Sequence, residues 1–332
     1  MTGRSGPLSH AVRRRTVLVS GTAAAAVLAA GLPAMAEISR LEIIVPANPG
    51  GGWDQTGRAM QAALQEAGLA SGIQVTNVGG AGGTIGLAQF VTGKKRKGDS
   101  ILVGGLVMLG AILTNQSPVS LADVTPLARL TGEYEALVVP AESPIQTLQD
   151  LVDKLKADPA SVSWGGGSAG GTDHIVAALI AKSAGVDPTK VNYIAHSGGG
   201  EALSSILGGH VTVGISGWQE FAGQVEAGKL RPIAIVAEER MSGVDVPTTK
   251  EQGVDVTMVN WRGVFAPPDI RERDLEALSD AIARMVESPQ WKEVLKSRGW
   301  LDMYLPHAEF AEFVVEDTEA VSSTLKELGM VQ

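Results

Sequence analysis

From residue 41 onward the chain alternates short apolar runs with glycine clusters and stretches of helical periodicity. Leu41 to Val45 is short, β-branched and nearly uncharged, which predicts a buried strand. Gly50, Gly51 and Gly52 follow, and then Ala59, Met60, Ala63, Leu64 and Ala67 recur at the spacing of one helix face. The same order returns three times. Ile73–Val78 runs into Gly79–Thr84 and Leu87–Val91; Ser161–Trp164 into Gly165–Thr172 and His174–Ala184; Val191–Ala195 into His196–Gly200 and Ala202–Leu207. Between and after these units, Ile101–Leu106 and Leu230–Ala237 read as strands, and 211–227 as a strand followed by a helix. Thr147-Leu148-Gln149-Asp150 has the form of a helix-opening capping box.

Strand–helix alternation predicts an α/β fold with a parallel sheet covered on both faces. Leu137–Pro140 opens a new section, and Val256–Phe265 is apolar and β-branched until Pro267-Pro268 stops it; beyond that the pattern is plain helix. The expected organisation is therefore two lobes, 37–137 with 263–332 and 138–262. The chain crosses between them twice, which makes a hinge and a central cleft.

Composition narrows the function. The 332 residues include no cysteine, which removes thiolate chemistry, disulfides and cysteine metal sites. Residues 1–36 read as an export signal: Arg13-Arg14-Arg15, a mild alanine-rich apolar run from Val17 to Leu32, and Ala34-Met35-Ala36 as a small-x-small cleavage site. The arginine pair favours the twin-arginine route. Removing this segment takes Lys plus Arg from 27 to 23 against an unchanged 36 Asp plus Glu, so the formal charge moves from −9 to −13. An acidic exported protein is not built for nucleic acid. His174, His196, His210 and His307 show no metal-ligand spacing, and no cofactor is expected.

Glycine loops that open helices suit anions, because the first turn of a helix leaves N–H groups free and carries partial positive charge. Gly165–Gly170 also satisfies two enzymatic patterns. As G-x-G-x-x-G it resembles a dinucleotide loop, but Asp187, at the ribose-binding distance, has no strand before it. As G-x-S-x-G it resembles a nucleophile elbow around Ser168, but Gly170-Gly171-Thr172 delays the helix, with Thr172 expected to cap it. Arg262, between Trp261 and Gly263 in an apolar run, reads either as a ligand-binding cation or as an ion pair between lobes.

Four motifs occur in an order characteristic of one family: Asn48-Pro49-Gly50-Gly51-Gly52-Trp53-Asp54, Gly80-Ala81-Gly82-Gly83-Thr84-Ile85-Gly86, Ser168-Ala169-Gly170-Gly171-Thr172-Asp173-His174 and Trp261-Arg262-Gly263-Val264-Phe265-Ala266-Pro267. The chain resembles, over nearly all of its length after residue 36, an extracytoplasmic solute receptor of a tripartite tricarboxylate transporter, the Bug receptor family. The resemblance implies a type II periplasmic-binding-protein fold. It also implies a non-enzymatic, monomeric receptor that clamps a citrate-like di- or tricarboxylate and delivers it to membrane permease subunits. By the same resemblance the first two motifs hold one end of the ligand and the third holds the other, with His196, Ser197, Gly198, Trp261 and Arg262 completing the set. Val78-Gly79 and Ala195–Gly198 depart from the Arg-Pro and Tyr-Lys-Gly of many relatives, at the expected pocket wall. A serine hydrolase using Ser168 and a sensory receptor for the same ligand class stand as alternatives.

Overall fold

The computed structural model describes residues 38–197 and 199–332; residues 1–37, which include the expected export signal, and Gly198 lie outside the described residues. Among the described residues there are ten strands and ten α-helices, alternating except where β9 follows β8 and α9 follows α8. The first half runs β1 (Leu41–Val45), α1 (Gly52–Glu66), β2 (Ile73–Asn77), α2 (Thr84–Gly93), β3 (Ser100–Gly105), α3 (Leu106–Thr114), β4 (Thr125–Pro140), α4 (Leu148–Ala157), β5 (Ser163–Gly166) and α5 (Thr172–Ser183). The second runs β6 (Asn192–Ala195), α6 (Gly199–Leu207), β7 (Val213–Gly217), α7 (Trp218–Glu226), β8 (Leu230–Ile235), β9 (Val259–Ala266), α8 (Glu272–Glu287), α9 (Pro289–Arg298), β10 (Leu301–Leu305) and α10 (His307–Glu327). All four strand–glycine–helix units are present as read.

The strands form one sheet in the order β2-β1-β3-β9-β4-β7-β5-β6, with β8 and β10 also paired to β4. The parallel expectation holds for β2-β1-β3 and for β7-β5-β6. Between these triplets β9 and β4 run antiparallel, as do β8 and β10 against β4. The centre of the sheet is thus mixed. The 16-residue β4 passes through both halves of the sheet, and the expected boundaries at 137/138 and 262/263 fall within β4 and β9.

Burial follows the apolar pattern. One core packs β1, β3 and β9 against α1, α8, α9 and α10, so the helical segment after β9 lies on the first half of the sheet. Two smaller cores cover the faces of the second half, one under α4 and α5 and one under α6 and α7. Local signals set the helix ends. Thr147 and Asp150 make the reciprocal capping box that starts α4. Ser288 caps α9, Pro289 takes its first position, and Gly299 ends it in the left-handed region at φ 60°. Thr172 does not cap α5: Gly171 is the cap residue, and the buried Thr172 hydroxyl has no protein partner. Gly171 supplies the extended cap backbone, which places Thr172 already inside the helix. No helix of the described residues is long and apolar enough to cross a membrane.

Candidate functional site

The glycine loops meet in one cleft between the two halves of the sheet, with about 650 Å³ of space partly open to solvent. The loop after β1 contributes Gly51, Gly52 and Trp53. Asn48, Gly50 and Asp54 support it from outside the lining: the buried Asp54 accepts from the Gly50 N–H at 3.0 Å, Arg58 Nε at 3.0 Å and Asn77 Nδ2 at 2.9 Å. Burial works to raise the Asp54 carboxyl, but the bonds from Arg58, Asn77 and Gly50 outweigh it and hold the group below the usual carboxylate range. Asn48 reaches across to Glu201 on α6 at 3.2 Å.

The loop after β2 supplies Gly80, Gly82 and Gly83. It turns through left-handed backbone, with Gly82 at φ 62° and Gly83 at φ 92°, and Gly83 packs against the Trp53 ring; a methyl there would come within 2.7 Å of it. Ala81 is exposed, and the Thr84 hydroxyl turns back to the Ala81 carbonyl at 2.9 Å.

From the facing side come Gly167, Ser168 and Asp173, and then His196 and Ser197. The Gly167 N–H donates to Asp173 at 2.6 Å, and the Gly170 N–H donates to His174 Nδ1 at 3.1 Å. His174 stacks on Tyr193 with ring centroids 4.2 Å apart, and burial lowers its pKa to about 4. His174 is therefore a neutral brace behind the loop, not a cation facing the ligand. Gly170 and Gly171 shape the same turn, and His196 Nδ1 lies 3.0 Å from the Gly166 carbonyl.

Sequence reasoning missed the floor. Ser216 at the end of β7, Glu220 on α7 and Asn260 on β9 line it together with Arg262. Arg262 is only 2% exposed, ion-paired with the buried Glu133 of β4, and 5.2 Å from the Trp300 ring. Its Nη1 has no protein partner. Burial, and then Arg298, lower the guanidinium to about 9, so it stays charged at neutral pH. Glu220 is pushed up to about 7 by burial and by Asp173, against the pull of Ser216 and the Gly52 N–H. Asp173 is raised to about 6 by burial, against the N–H bonds of Gly167 and of its own backbone. Trp261, by contrast, points away from the cleft: its indole donates to Asp317 at 2.7 Å among Phe310 and Phe313.

A family model described as "Tripartite tricarboxylate transporter family receptor" matches residues 57–330. The chain belongs to that receptor family. It is 27% identical over 331 residues to a Cupriavidus necator protein, "UPF0065 protein in gbd 5'region", covering 96% of this chain and 99% of the relative. Among solved structures, the periplasmic binding protein BugD superposes with a TM-score of 0.80 at 20% identity, covering 88% of this chain and 98% of that one. Rhodopseudomonas palustris MatC with bound malate gives 0.75 at 23% identity, covering 87% and 99%; R. palustris Rpa4515 with adipate gives 0.79 at 22%, covering 88% and 97%. The fold is that of two-lobed periplasmic binding proteins, with a central cleft and two strands crossing between the lobes.

The enzymatic patterns find no support in this geometry. Ser168 makes no hydrogen bond to a histidine among the described residues, and its helix starts four residues later at Thr172. Asp187, the would-be ribose partner, instead accepts from Thr189 N–H at 3.0 Å in a surface turn. The family is one of solute receptors.

Proposed function

We propose that this protein captures a small organic carboxylate between its lobes and presents it to the membrane permease of a tripartite transporter. The observation that carries this is the convergence of glycine loops, each opening a helix, on one cleft. The loop N–H groups left over after Gly50, Gly83, Gly167, Gly170 and Gly171 bond internally, together with the Ser168 hydroxyl, supply donors at neutral charge, and Arg262 Nη1 supplies one charged donor from the floor. An overall charge of −13 repels an anion at long range, so capture depends on these local donors. The malate and adipate in the two R. palustris neighbours support a ligand of dicarboxylate size. A citrate-like trianion fits less well, since a third carboxylate adds negative charge to a cleft that Asp173 and Glu220 already line.

The lobes, 37–137 with 263–332 and 138–262, close over the ligand by bending β4 and β9, the protein acting as a monomer outside the cytoplasm after removal of residues 1–36. Isothermal titration of the mature protein with C4–C6 mono-, di- and tricarboxylates, alongside small-angle scattering, tests this. Binding with a fall in radius of gyration is expected. No binding by any carboxylate, or turnover of a bound ester, would overturn it.

A further inference from the structure

The charges of the cleft do not balance for a plain carboxylate. Asp173 and Glu220 line it, Glu133 lies directly beneath, and Glu135 stands behind Asn260. Arg262 is the one permanently charged cation among the lining residues, and Glu133 already holds it. Two buried polar atoms of the lining residues lack protein partners: the donor Nη1 of Arg262, on a side chain 2% exposed, and the acceptor Oδ1 of Asn260, on a residue 7% exposed; Glu135 Oε2, behind Asn260, is a further one outside the lining. The Asn260 amide is oriented by its Nδ2, which donates to Glu135 at 2.9 Å. A buried polar atom without a partner costs free energy unless something else satisfies it. Here one unsatisfied atom calls for a negative acceptor and the other for a donor.

Arg262 and Glu220 both reach Gly52, the first residue of α1, and Asn260 lines the same cleft. The guanidinium of Arg262 lies where a Gly52 side chain would be, and the Gly52 N–H is one of the groups that pull on the Glu220 carboxyl. A donor and an acceptor site thus stand within the span of one small molecule. Resting on the carboxylate-receptor reading above, we infer that the ligand carries an ammonium beside its carboxylate. The carboxylate takes the glycine-loop amides and Arg262 Nη1. The ammonium takes Glu220 and Asn260 Oδ1. A simple di- or tricarboxylate would leave Asn260 Oδ1 empty and set like charge against Glu220 and Asp173.

The test titrates the mature protein, in EDTA, with pairs of equal carboxylate count: succinate and L-aspartate, glutarate and L-glutamate, propionate and L-alanine. A charge-assisted hydrogen bond contributes enough for the amino member of at least one pair to bind about ten- to hundredfold tighter. In Glu220→Gln, shown folded by its thermal melt, that ratio should collapse to within about threefold while the plain carboxylate binds as well or better. Plain acids binding as tightly as their amino partners would overturn the inference but leave the carboxylate reading standing. So would a preference that survives Glu220→Gln, or binding that appears only when a divalent cation replaces EDTA. Failure of all six probes, with plain acids of other lengths also silent, sinks the carboxylate reading itself.

Discussion

Arg262 and Glu133 form a buried pair, 2% and 4% exposed, on adjacent strands that cross between the lobes. Replacing Arg262 with Met removes the cation and strands Glu133 where water cannot reach it, at a cost of about 3–5 kcal/mol. Over the 295 residues from 38 to 332, an unfolding entropy of roughly 2.1 cal/mol/K per residue gives about 0.6 kcal/mol/K, so Tm should fall by about 5–8 °C. Asp173 and Glu220, both raised above the usual carboxylate range, would then line the cleft with no permanently charged cation among the lining residues, so the loss should be larger at pH 8 than at pH 5. The double change Arg262→Met with Glu133→Leu removes both charges and should recover most of the loss, because two apolar side chains of similar size can fill the same space. Differential scanning calorimetry of wild type, both single variants and the double at the two pH values completes the cycle. A single-variant loss under about 1 kcal/mol, or a double variant no better than the worse single, would refute the buried-pair argument.

Three further outcomes follow from the same geometry. Ser168→Ala removes one hydroxyl from the cleft wall and should weaken carboxylate binding by about 1–3 kcal/mol without changing Tm; an unchanged dissociation constant would remove Ser168 from the site. In ligand-free protein between about pH 4.5 and 7, native Glu220 keeps a proton that the unfolded chain has lost, so its contribution falls as pH rises. Glu220→Gln should therefore be level with wild type at pH 4.5 and about 1–2 kcal/mol more stable at pH 8, allowing for solvent in the cleft; urea titration at both pH values reads the difference, and equal stabilities throughout would refute it. Gly110 on α3 packs directly on the Gly170 carbonyl of the facing loop, where the Thr114 hydroxyl also reaches Ala169 O at 3.3 Å. Gly110→Ala should wedge α3 from that loop and weaken binding at least about tenfold, at a stability cost of about 1–3 kcal/mol; unaltered titration curves would show that the contact yields freely.

The sequence by itself determined the repeating unit and much of the site's rim. Strand, glycine loop and helix are local: β-branched runs, residues free to take positive φ, and apolar spacing at 3.6 each announce themselves within about a dozen residues. So Gly51, Gly52, Gly82, Gly83 and Ser168 could be placed at a cleft before any coordinates. The floor was different. Thr131, Glu133 and Glu135 alternate along β4 and would pass for a solvated strand face, and Glu220 is one more acid on an amphipathic helix. Nothing local marks them as buried beneath the glycine loops, because that burial depends on β4 and β9 meeting across more than a hundred residues. The same pairing decided the two aromatic and cationic neighbours: alternation along β9 turns Trp261 to Asp317 and the core, and Arg262 to the cleft and Glu133. Which groups open a loop is written in short-range pattern, whereas which charges face each other across it is a property of strand register, and only the tertiary structure sets that.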